Sequence, residues 1–463
     1  MGRIVVVSNR VSPVTGAKAA AAGGLAVGVL AALRETGGIW FGWSGEVTPT
    51  SATMPKVFRT GKLTYITVDL SSQEFEGYYA GFANRTLWPL CHYRLDLTNF
   101  EHDWYATYRR VNQLFAEHLF PYLREDDIVW IHDYHLIPLG EELRALGLRA
   151  RMGFYLHIPF PSHEVYVALP WHDRLVGSLC AYDLVGFQTS NDLRNFHDYL
   201  YREGVGYALS DGLIRANGRT LRAMDFPIGI DAGDVAEMAV SAEAQRQSQK
   251  LKRILQHRHL IIGVDRLDYS KGIPERLRSF EALLQNFPKQ RGRVILMQIS
   301  APSREDVPEY LELRGEVEAM SGRINGRFSE FDWMPLRYIN RSFNRRVLSG
   351  FFRMGRIGLV TPLRDGMNLV AKEYVAAQDP NDPGVLVLSR FAGAADEMAG
   401  ALIVNPYDVE AVAQAMHQGL TMSLDERKDR WRRMFERVSE HDIGRWRRRF
   451  LEALSQSVEH TPD

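Results

Sequence analysis

Short, continuously apolar segments recur along the chain, and amphipathic stretches separate them. A strand that is apolar on both faces must be covered on both faces, which is the environment of a parallel sheet between layers of helices. The intervening stretches, such as residues 273–287 and 409–420, repeat apolar residues at helical spacing. The alternation therefore predicts an α/β fold with parallel sheets. Strands are expected at residues 3–8, 128–132, 152–157, 183–187, 260–265, 294–299, 357–361, 385–389 and 401–404.

The length of the chain, 463 residues, predicts more than one domain. The segment 225–240 ends a strand, contains a proline and two glycines, and precedes a polar helix. We therefore predict two Rossmann-like domains that face each other across a cleft, residues 1–230 and 231–440. The charged, helical end of the chain carries Trp and Phe residues that need an apolar surface. We expect residues 441–463 to cross back to the first domain as a helix.

Composition narrows the classes of partner. Lys+Arg and Asp+Glu both number 56, so nothing indicates a nucleic-acid or membrane footprint, and any anion site must be local. The two cysteines, Cys91 and Cys180, cannot form a disulfide framework and are expected to be core thiols. The N-terminal apolar run is short and closed by Arg10, which indicates a first strand and not a signal peptide. We expect a cytoplasmic protein.

Two glycine-containing loops are candidates for anion binding. Gly23-Gly24 lies in a stretch that follows the first strand and opens a helix, where backbone N–H groups could approach an anion; ordinary turn formation is the alternative. In GVDRLDYSKGIPERL, residues 263–277, a buried strand is followed by Arg266 and Lys271 near a helix start. Two cations at such a position suit a diphosphate. The alternative is a solvated salt-bridge surface, since Asp265 and Asp268 are adjacent.

The segment TPLRDGMNLVAKEYVAAQ, residues 361–378, places two acids after another buried strand. Ligands of open α/β sheets bind at the carboxyl ends of the strands. Asp365 could hold sugar hydroxyls there, and Glu373, on the helix that follows, could accept hydrogen bonds from a ribose diol. The alternative is that Asp365 caps the helix and that Glu373 is a surface acid paired with Lys372.

Histidines at two strand ends could suggest a metal, but the spacing does not support one. A metal site needs enough protein ligands in a defined geometry, and no residue at helical spacing completes such a set with His132, Asp133 and His135. A core histidine beside a strand-end acid explains these residues better. His157 could donate to a sugar hydroxyl, although a lone histidine is more often structural. The chain contains no Asp-x-Asp pair, which is the signature used by metal-dependent nucleotide-sugar enzymes. We therefore expect that no divalent metal and no other cofactor is required.

Taken together, these motifs resemble the trehalose-6-phosphate synthase family, whose members are retaining glucosyltransferases of the GT-B fold. The resemblance spans essentially the whole chain and preserves the order of long motifs. They are VVVSNR, GGLAVG, GGIWFGWSGE, LWPLCHYRLD, IHDYHL, HIPFPSHE, DRLDYSKGIPER and PLRDGMNLVAKEYVAAQ.

The resemblance implies a role for each matching residue. Donor-binding residues would be Gly24 over the phosphates, Arg266 and Lys271 at the diphosphate, and His157 and Asp365 at the glucose. Met367, Asn368, Leu369 and Val370 would contact the donor largely through their backbone, and Glu373 would bind the ribose. Of these, Arg266, Lys271, His157 and Asp365 would be catalytic. Acceptor-binding residues would be Arg10, Tyr79, Trp88 and Arg304 at the phosphate, with Trp40 and Asp133 beside the sugar; the adjacent Tyr78 leaves the assignment of Tyr79 open by one residue.

The family transfers glucose from a nucleotide-glucose, usually UDP-glucose, to glucose 6-phosphate. The new bond forms on the same face of the sugar, without a covalent enzyme intermediate, and a leaving phosphate oxygen takes the acceptor proton. There are three alternatives. The first is a sister synthase that uses glycerol 3-phosphate or a cyclitol phosphate, the second is a glycoside hydrolase, and the third is a catalytically silent regulatory subunit. The motifs do not separate UDP, GDP and ADP donors, and they are compatible with a homo-oligomer without defining one.

Overall fold

The computed structural model describes residues 2–11, 33, 37–51, 54–210, 212–303 and 307–457. Within these residues the chain forms two compact units. Unit 1 comprises Met1–Pro227 and Trp446–Asp463, and unit 2 comprises Ile228–Arg445.

Unit 1 is built on a ten-stranded sheet in the order β3-β4-β2-β1-β5-β6-β7-β10-β9-β8. The seven strands from β4 to β10 in this order are parallel, and β3, β9 and β8 pair antiparallel with their neighbours. The strands are β1 Ile4–Arg10, β2 Gly38–Thr48, β3 Lys56–Thr60, β4 Leu63–Ser71, β5 Ile128–His132, β6 Arg151–Tyr155, β7 Leu184–Phe187, β8 Gly206–Ala208, β9 Leu213–Ala216 and β10 Arg219–Asp225.

Unit 2 contains a six-stranded sheet, wholly parallel, in the order β13-β12-β11-β14-β15-β16. Strands β12, β14 and β15 are buried on both faces, as their continuous apolar segments predict. The α/β prediction is therefore confirmed for both sheets. The strands are β11 His259–Arg266, β12 Val294–Ala301, β13 Leu336–Ile339, β14 Gly355–Val360, β15 Val385–Ser389 and β16 Leu402–Val404.

Helices connect the strands in both units. One segment of unit 1, Phe75–Leu87, is a π-helix, which the sequence pattern does not indicate. The α-helices are α1 Ser72–Glu74, α2 Trp88–Cys91, α3 His102–Leu119, α4 Leu139–Ala145, α5 His163–Tyr166, α6 His172–Leu179, α7 Ser190–Arg202, α8 Ala232–Ala239, α9 Ala242–Leu255, α10 Ile273–Asn286, α11 Pro308–Phe328, α12 Arg345–Met354, α13 Leu369–Ala377, α14 Val409–Thr421, α15 Leu424–Glu440 and α16 Ile443–Ser455. Short 3₁₀ turns occupy Leu95–Leu97, Phe120–Tyr122, Tyr134–Leu136, Tyr269–Lys271, Pro288–Gln290 and Gly393–Asp396.

The strand orders place a topological switch point in each unit. In unit 1 the chain leaves β1 toward β2 and later returns to β5 on the other side of β1; in unit 2 the same reversal separates β11 from β14. Ligands of open α/β sheets bind outside the carboxyl ends of strands at such points. The end of β1 is Arg10 and the end of β11 is Arg266, so both predicted strand-end arginines lie at a switch point.

The last helix packs onto the sheet of unit 1 through two glycines. Phe450 stacks on Trp130 of β5, with ring centroids 4.9 Å apart. A Cβ atom at Gly153 or Gly186, on β6 and β7, would come within 2.8–2.9 Å of atoms of Phe450 or Leu454. Both strands therefore need glycine where this helix lies against them.

The two chain segments at the boundary of the units pack against each other on the unit 2 side. The N–H of Ile443 donates to the carbonyl of Ile230 at 3.3 Å. Gly229 lies against the carbonyl oxygen of His441 so closely that a Cβ atom could not be accommodated. The ammonium of Lys372 donates to the carbonyl of Ile228 at 2.8 Å.

A buried guanidinium connects three neighbouring strands of unit 2. Arg276 of α10 has no exposed surface. It donates to Asp265 of β11, to Gln298 of β12 at 2.8 Å and to Thr361, just after β14, at 3.0 Å. Burial raises the pKa of Asp265 and Arg276 opposes that shift. The cation therefore offsets the cost of a buried carboxylate while it connects three neighbouring strands.

Arg276→Met should destabilise the protein strongly, because it leaves Asp265 buried without the cation that bonds it. We expect the free energy of unfolding to fall by about 3–5 kcal/mol. Arg278→Met on the same helix is the matched control: that side chain is 45% exposed in its ion pairs, and its loss should cost about 0–1 kcal/mol. Chemical denaturation of both variants gives the comparison. A loss for Arg276→Met no larger than that for Arg278→Met would contradict this prediction.

Candidate functional site

A cation and an acid meet at the switch point of unit 2. Lys271, in the turn after β11, places its Nζ 2.6 Å from Oδ2 of Asp365, in the segment between β14 and α13. Their side chains are 11% and 14% exposed. The ion pair is thus largely withdrawn from water, which strengthens its electrostatic interaction with any ligand that reaches it.

The backbone around Asp365 is held on both sides. Its N–H donates to the carbonyl of Phe391 at 3.1 Å, and its own carbonyl accepts from Gly393 at 3.2 Å. The side-chain amide of Asn368 donates to the same carboxylate oxygen that Lys271 contacts, at 3.0 Å. The carboxylate therefore has a fixed orientation.

Helix α13 begins directly after this acid. Asn368 adopts a left-handed conformation (φ +75°), and its side chain accepts from the N–H of Ala371 at 3.3 Å. The helix cap is therefore Asn368, and the alternative in which Asp365 caps the helix is wrong. Met367 is buried, whereas Leu369 and Val370 are half-buried in the first turn. A helix N-terminus presents N–H groups and a partial positive charge to an anion.

Glu373 lies one turn further along α13 and is 21% exposed. Burial raises its pKa, and the guanidinium of Arg345, 3.9 Å away, opposes that shift. Its neighbour Lys372 is buried and forms an ion pair with Glu397. The alternative of a surface pair between Glu373 and Lys372 is therefore wrong.

The remaining predicted cation of unit 2, Arg266, ends β11 with an exposed side chain. Asp265 and Asp268, the two acids of the alternative salt-bridge surface, are both buried. Asp265 pairs with buried Arg276, and Asp268 accepts from the N–H of Ser270 and from the hydroxyl of Tyr310. Gly24 and Arg304, two further predicted binding residues, lie outside the described residues.

In unit 1 the ends of β5 and β6 bring together His132, Asp133 and His157, which were considered from the sequence as possible site residues. His132 ends β5, and its Nδ1 lies 3.1 Å from Nε2 of His157, just beyond β6. The N–H of His157 donates to Oδ1 of Asp133 at 3.2 Å. Asp133 has φ +78°, which is uncommon for a residue with a Cβ atom. The prediction of a core histidine at His132 is confirmed, since it is fully buried.

Both imidazoles are neutral at neutral pH. Burial lowers the pKa of His157 to about 3. Burial, together with the neighbouring ring of His157, also lowers the pKa of His132 well below its ordinary value. Because protonation is disfavoured in the folded protein, neither ring acts as a cation at neutral pH.

Arg10, at the end of β1, and Tyr79 both contact the indole of Trp43 in β2. The guanidinium of Arg10 lies over the ring of Trp43, 5.6 Å from its centroid, and the ring of Tyr79 is 5.4 Å from it. Tyr79 also stacks on His135 at 5.8 Å. Gly45, with φ +92°, leaves the space that Arg10 occupies, since a Cβ atom there would be 2.5 Å from the guanidinium. The indole of Trp43 thus contacts both a cation and a phenol.

The two adjacent tyrosines have different environments. Tyr78 is fully buried and donates to Oδ1 of Asn9 at 2.8 Å, whereas Tyr79 is half-buried. Trp40 and Trp88, both predicted beside the acceptor, are buried at 4% and 5% exposure. The indole N–H of Trp40 donates to Ser8. Access to solvent therefore favours Tyr79 of the pair and is small at both tryptophans.

Trp43 was not among the residues predicted from the sequence, although it holds Arg10 and Tyr79 in place. Its signal is an aromatic residue between glycines, in FGWSGE. The bond between His132 and His157 was also missed, because residues 25 positions apart meet only when β5 and β6 pair.

Two further properties concern ligands and membranes. In the part of the chain that the structure describes, no three His, Cys, Asp or Glu side chains are grouped as a metal site would require. No helix within these described ranges combines the length and apolar composition needed to cross a bilayer.

Known proteins resemble this chain over its full length. The profile of glycosyltransferase family 20 matches residues 3–456. A trehalose-6-phosphate synthase of Sinorhizobium fredii is 51% identical over 459 residues, covering 99% of both chains. An α,α-trehalose-phosphate synthase (UDP-forming) from Burkholderia xenovorans, solved in complex with glucose-6-phosphate, is 50% identical, with a TM-score of 0.94 over 98% of this chain and 100% of that one.

A structure from E. coli, bound with UDP-2-fluoro glucose, is 48% identical, with a TM-score of 0.95 over 99% of this chain and 100% of that one. These similarities confirm the GT-B fold class that the sequence predicts.

Asn368 offers a test of the local geometry. Asn368→Ala removes the cap of α13 and puts a Cβ residue without a polar side chain at a positive φ, so we expect a loss of about 2 kcal/mol in the free energy of unfolding. Asn368→Gly should cost less than about 1 kcal/mol, because glycine adopts positive φ without strain and replaces a cap at small cost. Chemical denaturation measures both. Equal losses would show that the conformation at residue 368 does not limit stability.

Proposed function

The chain belongs to glycosyltransferase family 20, and on that premise we propose that it transfers glucose from UDP-glucose to glucose 6-phosphate, forming α,α-trehalose 6-phosphate. The observation that carries the proposal is the pair of Lys271 and Asp365 beside the N-terminus of α13, at a switch point. Relatives near 50% identity were solved with glucose-6-phosphate and with UDP-2-fluoro glucose, which supports this choice of substrates.

Donor binding is assigned to the residues of unit 2 described above. Lys271 and Arg266 bind the diphosphate, with the first-turn N–H groups of Leu369 and Val370. Glu373 accepts hydrogen bonds from the ribose hydroxyls, and Asp365 holds hydroxyls of the glucose. Lys271 already contacts Asp365, so one ammonium is shared between the sugar-binding acid and the phosphates.

The chemistry follows from where charge develops. As the bond between C1 and the phosphate oxygen breaks, negative charge builds on the diphosphate, and Arg266, Lys271 and the dipole of α13 stabilise it. The acceptor hydroxyl attacks C1 on the same face of the sugar. Its proton passes to the leaving phosphate oxygen, so no protein base is needed. His157, neutral in this environment, serves as a hydrogen-bond donor to the glucose.

Acceptor binding is assigned to residues of unit 1, apart from Arg304. Arg10 and Tyr79, held on Trp43, bind the phosphate. Trp40 and Asp133 are assigned to the acceptor sugar and Trp88 to its phosphate. Arg304, outside the described residues, is assigned to the phosphate from the motif alone. Arginine suits this task because its planar fork binds phosphate oxygens bidentately.

The proposed function is tested by a matrix of donors and acceptors. Purified protein is incubated with UDP-, GDP- or ADP-glucose and with glucose 6-phosphate, glucose, glycerol 3-phosphate or a cyclitol phosphate, and NMR identifies the products. We expect an α,α-1,1 disaccharide phosphate, formed fastest from UDP-glucose and glucose 6-phosphate. Preferred transfer to another acceptor, or hydrolysis of a glycoside without nucleotide, would refute the proposal.

Arg266→Ala should act on the chemical step. Loss of a preorganised group that stabilises the leaving diphosphate should lower kcat by roughly two to three orders of magnitude. Arg253→Ala is the control, since Arg253 is exposed on α9 of the same unit. Steady-state kinetics at saturating acceptor separate the two variants. If Arg266→Ala keeps most of its kcat, this arginine does not stabilise the transition state.

Arg10→Ala should act on acceptor binding. One charge-assisted bond to the phosphate contributes about 1.5–3 kcal/mol, so KM for glucose 6-phosphate should rise roughly ten- to a hundredfold, with KM for UDP-glucose little changed. Arg59→Ala on the exposed strand β3 is the control. Free glucose should be a very poor acceptor for the native enzyme, and the variant should discriminate less. Equal KM values for glucose and glucose 6-phosphate in the native enzyme would contradict the assignment.

A further inference from the structure

The bond between His132 and His157 has only one hydrogen to share. Both rings are neutral at neutral pH, so one of the two facing nitrogens donates and the other accepts. If Nδ1 of His132 carries the hydrogen, Nε2 of His157 accepts it, and the hydrogen of His157 must lie on Nδ1. If Nε2 of His157 carries it, the hydrogen of His132 must lie on Nε2.

The surroundings of His132 distinguish these cases. Its Nε2 is buried and has no hydrogen-bond partner within the described residues. The rings of Trp130 and Trp446 lie 4.5 and 6.4 Å from its ring, and each has a buried indole N–H that bonds no acceptor in that same set. A further N–H among these donors would be a buried donor without an acceptor, which is costly. A lone pair on Nε2 is compatible with them.

We propose that His132 is a positioning residue that holds His157 in the tautomer with its hydrogen on Nδ1, so that His157 donates from that atom to an oxygen of the donor sugar. The proposal rests on the proposed function, because it takes His157 as the residue at the donor glucose. The geometry supports a fixed ring. The two imidazoles are nearly parallel, 27° apart at 5.4 Å, and the backbone of His157 is bonded to Asp133. His157 is half-buried whereas His132 is fully buried, so only the first is open to a ligand.

The assignment has a chemical consequence. A histidine whose Nε2 accepts from His132 and whose Nδ1 carries a hydrogen has no lone pair left for a ligand. His157 then cannot take the proton of the acceptor hydroxyl, and it selects a hydrogen-bond acceptor on the sugar. The proton must leave by another route, which agrees with its transfer to the leaving phosphate.

The tautomer can be measured without turnover. In native protein with ¹⁵N-labelled histidine, the ring nitrogens of His157 are assigned by their loss in His157→Gln. We expect a pyrrole-type Nδ1 and a pyridine-type Nε2 in His157, and the same pattern in His132. A hydrogen on Nε2 of His157 would overturn the proposal. This result is independent of the substrates, so a failure of the proposed function in the donor and acceptor matrix would be recognised separately.

Kinetics of two His132 variants test the positioning role. His132→Asn keeps a side-chain N–H close to the place of Nδ1, whereas His132→Phe keeps a ring without a donor. We expect His132→Phe to lower kcat about tenfold, which corresponds to the loss of one neutral hydrogen bond. The same variant should show a mixture of His157 tautomers by NMR. His132→Asn should keep the kcat and the His157 tautomer of the native protein.

The control is His172→Phe, which removes another bonded histidine of unit 1, the partner of Tyr199, and should leave kcat unchanged. Folded His132→Asn protein that is as slow as His132→Phe would overturn the role of the donor. If His132→Phe does not fold, the tautomer in the native protein decides the question.

Discussion

The guanidinium of Arg276 is the interaction on which the geometry of unit 2 depends. It bonds residues of β11 and β12 and the first residue after β14, so three neighbouring strands share one buried cation. A fourth bond, to the carbonyl of Lys271 at 3.3 Å, extends this control to the loop that carries the ammonium facing Asp365. Gly272, at φ +62°, then turns the chain into α10, close to the carbonyl of Thr361. A site that stabilises developing charge needs groups that do not reorganise. Here the position of Lys271 is fixed by Arg276, a buried cation outside the proposed ligand site.

Unit 1 positions its groups by a different kind of interaction. Tyr79 lies tilted against Trp43 and stacks on His135, and the imidazole of His157 is both stacked on His132 and hydrogen-bonded to it. In the proposed function, flat side chains of this kind orient and hydrogen-bond the neutral sugars, and Arg10 binds the phosphate. The division agrees with the proposed chemistry, in which charge changes at the donor diphosphate and stays constant on the acceptor phosphate.

The sequence predicted the elements whose burial follows simple periodicity. Strands β5 and β15 coincide with the predicted segments, and helices α10 and α14 lie within a residue of them. Strand β4 was missed because Thr67, Asp69 and Ser71 interrupt its apolar pattern; they are buried nonetheless, with Asp69 bonded to Ser44 and Lys56. The π-helix Phe75–Leu87 has neither a 3.6-residue nor a two-residue period to reveal it.

The site shows the same limit of sequence reasoning. Asp365 and Lys271 were identified because each follows a buried strand, and parallel strands end at a common edge. Their contact, and the cap at Asn368, required the register of β11 and β14. The choice between Tyr78 and Tyr79 depends on which side of a π-helix faces the core. No local pattern contains that information.

The paired segments at the boundary of the units also constrain how this fold can be recombined. Residues 228–230 and 441–443 are far apart in sequence, yet their backbones bond directly and Gly229 admits no side chain. A chimaera that exchanges only the first segment would pair residues 228–230 of one parent with residues 441–443 of the other, although these segments must fit each other closely. Unit 2 is therefore transferable between relatives only as a cassette that includes both segments from one parent, with glycine retained at position 229.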